Sequence, residues 1–157
     1  MSTRPVIRES NLPVGSLIEA WVGPGDFVDG YAVAADASPR RAAEIITAFP
    51  VWARFLLTIR QVLTAPFGLS NNRPEALDKV GVFPVEAETD NELIAGFNDR
   101  HLDFRVSVLS REGRVFLATW VHPHNIGGRL YLRAIMPFHI LIARDALLRV
   151  AVETARR

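Results

Sequence analysis

At 157 residues, with 49% hydrophobic and 22% charged side chains, the chain carries enough apolar material for one folded core and lies far from the composition of disordered segments. Eighteen basic against 17 acidic residues leave a net charge of +1, which gives no field for a nucleic-acid partner. Cysteine is absent, which excludes disulfides, thiolate nucleophiles and cysteine-ligated metal sites.

A single domain over residues 1–157 is expected, with 1–26 as an N-terminal segment. The start, MSTRPVIRES, has no apolar run behind a basic end, so no secretory signal is read and the cytoplasm is the expected location. Turn signals fall at Asn11 to Gly15 and Gly23 to Gly25, and Phe27 to Ala34 then alternates as a strand. Ser38 before Pro39 predicts a helix start, because the hydroxyl can cap free backbone N–H groups and proline gives up a donor that has no partner there anyway. That helix should run from Pro39 to about Ala48. Pro50 begins a second, in which Trp52, Phe55, Leu56, Ile59, Val62 and Leu63 recur at helical spacing before Pro66 and Gly68 end it.

Ser70 to Lys79 is a polar connector, and Lys79, the only lysine, is a poor Schiff-base candidate beside it. From there the pattern is that of a sheet. Val82 to Thr89 and Leu93 to Leu102 flank a turn at Asp90 and Asn91, and Ser110 to Gly113 turns the next strand back into Val115 to His122. A last helix is predicted from about Arg129 to the end, about 42 Å long at 1.5 Å per residue, with a kink at Pro137. The apolar regions Val51 to Leu69 and Leu130 to Val152 are broken by arginines, so neither reads as a membrane span. The fold class that follows is α+β: an antiparallel sheet packed on a long C-terminal helix, helix-grip-like, with two helices after the first strand.

The stretches PVWARFLLTIRQVLTAPFGL at 50–69, NDRHLDFRVSV at 98–108 and HNIGGRLYLRAIMPFH at 124–139, with their order and spacing, resemble the bacterial family called domain of unknown function 2867, from about Phe27 onward. The resemblance implies no activity and no catalytic residue. It does imply a relation to longer proteins in which such a domain follows a part similar to an NAD(P)-binding short-chain dehydrogenase. This chain has no G-x-G-x-x-G of its own, so a nucleotide role would belong to a partner.

The strand read over Asn98 to Leu109 carries the first candidate site. Its period of two sends Leu102, Phe104, Val106 and Val108 to one face and His101, Asp103 and Arg105 to the other. An acid, a base and a guanidinium in one row can transfer protons in a hydrolase or cyclase, or can simply form an ion-pair row on the sheet, which is the preferred reading. His122 and His124 could share a metal on an extended chain, but Pro123 argues that the strand is ending, and no metal is expected. Asn125, Gly127, Gly128 and Arg129 could hold an anion at a helix start, but an ordinary asparagine-capped start with glycines for a tight turn is the preferred reading. His139 reads as a hydrogen-bonded helix histidine.

The function expected is that of a domain, non-enzymatic or weakly enzymatic and without a cofactor, holding a small, largely apolar molecule between sheet and C-terminal helix. The expected contacts are Phe104, Trp120, Tyr131, Ile135, Phe138 and Ile142, with Arg105, His122 and His124 as polar partners. The alternative is an accessory domain serving an NAD(P)-dependent enzyme.

Overall fold

A computed structural model describes residues 4–50, 54 and 78–156. Its strands are β1 (Arg8–Glu9), β2 (Phe27–Ala34), β3 (Lys79–Val80), β4 (Phe83–Glu88), β5 (Glu92–Asn98), β6 (Leu102–Arg111) and β7 (Arg114–Pro123). The helices are α1 (Pro39–Thr47), α2 (Ile126–Thr154) and a 3-10 turn at Leu17–Ala20. The strands form one antiparallel sheet in the order β1-β2-β7-β6-β5-β4-β3. The fold class is therefore α+β, with the C-terminal helix packed on an antiparallel sheet. The second helix expected from Pro50 lies outside the described residues, apart from helical Arg54.

Local chemistry explains the boundaries. The Ser38 hydroxyl accepts from Arg41 N–H, and Pro39 occupies the first turn of α1. The C-terminus of α1 is closed by α2: Arg149 donates to the carbonyls of Ile45 (2.7 Å) and Ala48 (2.6 Å), placing a cation where the helix dipole favours one. Asn125 caps α2 through Gly128 N–H, starting the helix three residues before Arg129. Pro137 lies within α2, which continues through it. Between β6 and β7, Glu112 (φ 52°) and Gly113 (φ 70°) make the two-residue turn whose twist suits an antiparallel hairpin.

The sheet has two covered faces. On one, Tyr31, Val33, Leu93, Ala95, Val108, Val115 and Leu117 pack against Ala42 and Ile46 of α1 and Ala146, Leu147 and Val150 of α2. On the other, Ile94, Ala118 and Trp120 meet Ile18, with Leu12, Trp21 and Val28 around them. The N-terminal segment is thus a structural layer over the back of the sheet, and Ile18 is fully buried there. Glu92, 3% exposed, fastens that layer: its carboxylate accepts from the hydroxyls of Ser16 (2.6 Å) and Ser107 (2.5 Å) and from Leu17 N–H (2.7 Å). On the helix side Arg40 joins α1 to Asp78 and Glu88. These two carboxylates hold its pKa above the ordinary guanidinium value, and Arg40 in turn lowers that of Asp78.

No helix among the described residues is long and apolar enough to cross a membrane.

Candidate functional site

Residues directly paired across an antiparallel sheet share a face, so the register decides which expected site residues can meet. Arg105 pairs with Trp120 and Asp103 with His122, while Phe104 pairs with Val121 and Phe97. Arg105, Trp120 and His122 therefore lie on the back face with the N-terminal segment, whereas Phe104 lies on the helix side in an aromatic cluster with Phe83 and Phe97. Tyr131, Ile135 and Ile142 are half-buried on α2, and Phe138 is 48% exposed. The expected single wall between sheet and helix thus divides between two faces.

His101 is not in β6. Asp99 accepts from Arg100 N–H with its side chain, and its own N–H donates to the Leu102 carbonyl, so the chain turns through His101 before β6 begins. The His101 carbonyl accepts from His124 N–H, and its ring meets Asn125, whose amide Nδ2 lies 3.0 Å from Nδ1. Asp103 and Arg105 share a face but turn to cross-strand partners. Arg105, 6% exposed, reaches Glu86 (2.8 Å) and Asn98 (2.8 Å), and its guanidinium lies 6.0 Å from the Trp120 ring centroid. Asp103 lies at ion-pair distance from His124 (3.0 Å), without hydrogen-bond alignment.

On the same back face, Asp26 collects three donors: Gly23 N–H, the Trp120 indole and His122 Nδ1 at 2.5 Å. Burial pushes this carboxyl up, but the hydrogen bonds from His122, Gly23 and Trp120 outweigh it and hold its pKa below the ordinary carboxylate value. The rings of Trp120, His122 and His124 follow one another at 6.3 and 5.6 Å. The Asp26 carboxylate orients the His122 imidazole in the way carboxylates orient metal-bound or acid–base histidines, while His124 only lies near Asp103. Among the described residues, however, no third ligating group joins them.

A different pair lines an open space. Where β1 ends, Ser10 crosses over Gly30, its N–H donating to the Gly30 carbonyl at 2.9 Å. A Cβ on Gly30 would come within 2.4 Å of the Ser10 carbonyl oxygen, so glycine is required for this crossing. Past it, between this N-terminal chain, β2 and α2, opens a groove of about 600 Å³ lined by Glu9, Asn11, Leu12, Phe27, Asp29, Tyr31 and Met136, among others. None of the expected ligand contacts lines this groove. Asp29 is one of the lining residues: its Oδ2 accepts from His139 Nε2 of α2 at 2.8 Å, and Phe27 stands edge-on to the same imidazole. Asp29 Oδ1 is buried without a hydrogen-bond partner among the described residues. Burial first, then Asp29 and Glu9, raise the pKa of the Tyr31 hydroxyl, with Arg144 opposing.

The signal for this site was present in the sequence. In FVDGYAVA the face that carries Tyr31 and Val33 to the core also carries Asp29, an acid in an apolar register.

The model of the family "Protein of unknown function (DUF2867)" matches residues 21–146. The chain belongs to this family. No curated protein and no solved structure matches it. The matched span of DUF2867 includes β2 and the part of α2 that holds Met136 and His139, so the groove's two long walls fall inside the family region, while Glu9, Ser10, Asn11 and Leu12 precede it.

Proposed function

We propose that this member of DUF2867 binds a small molecule in the groove between β2, the N-terminal chain and α2. One observation carries the reading: Asp29, a lining residue of a groove of ligand size, has a buried carboxylate oxygen, Oδ1, with no donor among the described residues. An unmet buried acceptor costs about 1–3 kcal/mol, and a ligand N–H or O–H would remove that cost. Leu12, Phe27, Tyr31 and Met136 supply apolar surface beside it, the usual combination of a greasy wall and a few fixed polar groups. The ligand this favours is apolar in its body and has one strong donor. Its place, between a sheet edge and the closing helix, is the one a helix-grip-like arrangement invites.

Native mass spectrometry of the purified protein, followed by thermal-shift screening of small amphiphiles, tests this. A ligand at 100 times its Kd should add about 2.7 kcal/mol to the folded state, a midpoint rise of about 8 °C for a chain of this size. Met136→Trp, which fills the groove from α2, should abolish the shift. If no bound mass and no shift are found, the reading falls.

A second reading, an accessory domain that docks on an NAD(P)-dependent enzyme, draws on the outer side of α2, where Ile126, Leu130, Phe138 and Leu141 are exposed at 72%, 61%, 48% and 59%. It predicts self-association or partner capture that Leu130→Glu would remove and Met136→Trp would leave intact.

A further inference from the structure

The groove's charge goes further than its shape. Its lining carries two carboxylates, Asp29 and Glu9, and no lysine or arginine among the described residues. The field is felt within the fold, because both acids raise the pKa of the Tyr31 hydroxyl, next in importance to burial itself. Arg144 acts on that hydroxyl from α2 in the opposite sense, but it does not line the groove. The polar neutral groups of Ser10 and Asn11 stand at the same rim, and the aromatic residues Phe27 and Tyr31 form part of the wall.

Resting on the proposal that this groove is a ligand site, we infer that its ligand is a protonated amine with a short apolar body, the ammonium group donating to Asp29 Oδ1 and the body lying against Phe27, Leu12 and Met136. Three classes of small molecule offer a donor or a charge, and the lining separates them. A carboxylate or phosphate would bring negative charge to two carboxylates and leave Oδ1 without a donor. A neutral alcohol satisfies Oδ1 but gains nothing from Glu9. An ammonium supplies three N–H donors, a charge-assisted hydrogen bond to Asp29, Coulomb attraction from Glu9, and contact with the negative faces of aromatic rings. His139 already occupies Oδ2, so it fixes the carboxylate's orientation and leaves Oδ1 as the acceptor for the ligand.

The test is isothermal titration of the full chain with matched probes: 2-phenylethylamine, 2-phenylethanol and 3-phenylpropanoate, and the hexyl series of amine, alcohol and acid. The amines should bind, the alcohols at least tenfold more weakly, and the acids not measurably. Asp29→Asn should lower amine affinity at least tenfold while leaving alcohol affinity within about threefold. Should Asp29→Asn fail to fold, exposed Glu9→Gln provides the second variant, with a two- to fivefold loss for amines alone and a weaker salt dependence. Alcohols or acids binding as well as the amines, in a manner that Met136→Trp abolishes, would overturn the amine inference and leave the groove reading standing. Amine binding unaffected by the Asp29 and Glu9 variants would also overturn it. If none of the six probes binds and no other compound shifts the wild-type midpoint, both fall together.

Discussion

Glu92 offers the sharpest test of how the N-terminal layer is held. Its carboxylate is 3% exposed and answers three donors from two parts of the chain: Ser16 and Leu17 of the N-terminal segment and Ser107 of β6. Replacing it with leucine keeps the bulk and removes every acceptor. The Leu17 N–H, fixed by the backbone, is then left without a partner at a cost of about 1–3 kcal/mol, and the two hydroxyls, which can rotate, add roughly 1 kcal/mol each. The expected total is about 3–5 kcal/mol, offset in part by relief from burying a carboxylate that forms no ion pair among the described residues. Glutamine should be far milder. Its carbonyl can take the Leu17 N–H while its NH₂ donates to the Ser16 and Ser107 oxygens, so only the charge-assisted component is lost, about 1 kcal/mol. Urea unfolding followed by tryptophan fluorescence separates the two, because Trp21 packs in the layer that Glu92 anchors; for a chain of this size each kcal/mol also moves the thermal midpoint by about 3 °C. A Glu92→Leu loss below about 1 kcal/mol, or equal losses for leucine and glutamine, would refute the reasoning.

Acid should loosen the opposite end of the same face. The Asp26 pKa is lower in the folded chain than its ordinary value of 3.8, so the stability it contributes is complete above that value and is lost as pH falls through the folded-state value; urea midpoints measured between pH 2 and 6 should show this decline, and Asp26→Asn should flatten it. Gly128→Ala should destabilise by about 1–3 kcal/mol despite alanine's higher helix propensity, because the new Cβ would lie 2.2 Å from the His101 carbonyl oxygen. Equilibrium unfolding showing a gain instead would mean that the start of α2 can shift away from that turn.

The elements legible in the sequence were those with local signals. Ser38 and Pro39 announced α1, Gly113 the β6–β7 turn, and the period-two runs the meander that the sheet contains. The N-terminal layer was not legible, since it depends on one buried isoleucine in a 3-10 turn and on a glutamate that reads, at the start of a strand, like any solvated acid. His101 was misplaced for a related reason: alternation extends without a break through Asn98 to Leu109, and only the Asp99 turn chemistry interrupts it. Asp103 and Arg105 were correctly given one face, but a strand pattern cannot say that Asp103 will lie beside His124 and Arg105 will reach Glu86, rather than each meeting the other two residues along. The groove needed β2, the N-terminal chain and α2 at once, and Asp29 and His139 are 110 residues apart.

The strand order also sets a timetable. β6 and β7 are joined by a two-residue turn and can pair as soon as both exist, in microseconds once the chain is free. β2 has to wait, because its partner on one side is β7, with Phe27 against Val121, and the strand β1 on the other side spans only Arg8–Glu9. During synthesis at about 5–20 residues per second, the β2 segment would emerge roughly 5–18 s before the strand that covers it. A ribosome-bound chain that ends before β7 therefore displays Phe27–Ala34 as an unpaired edge. Asp29, the acid within that apolar register, gives the waiting segment a charge that opposes pairing with a second copy of itself.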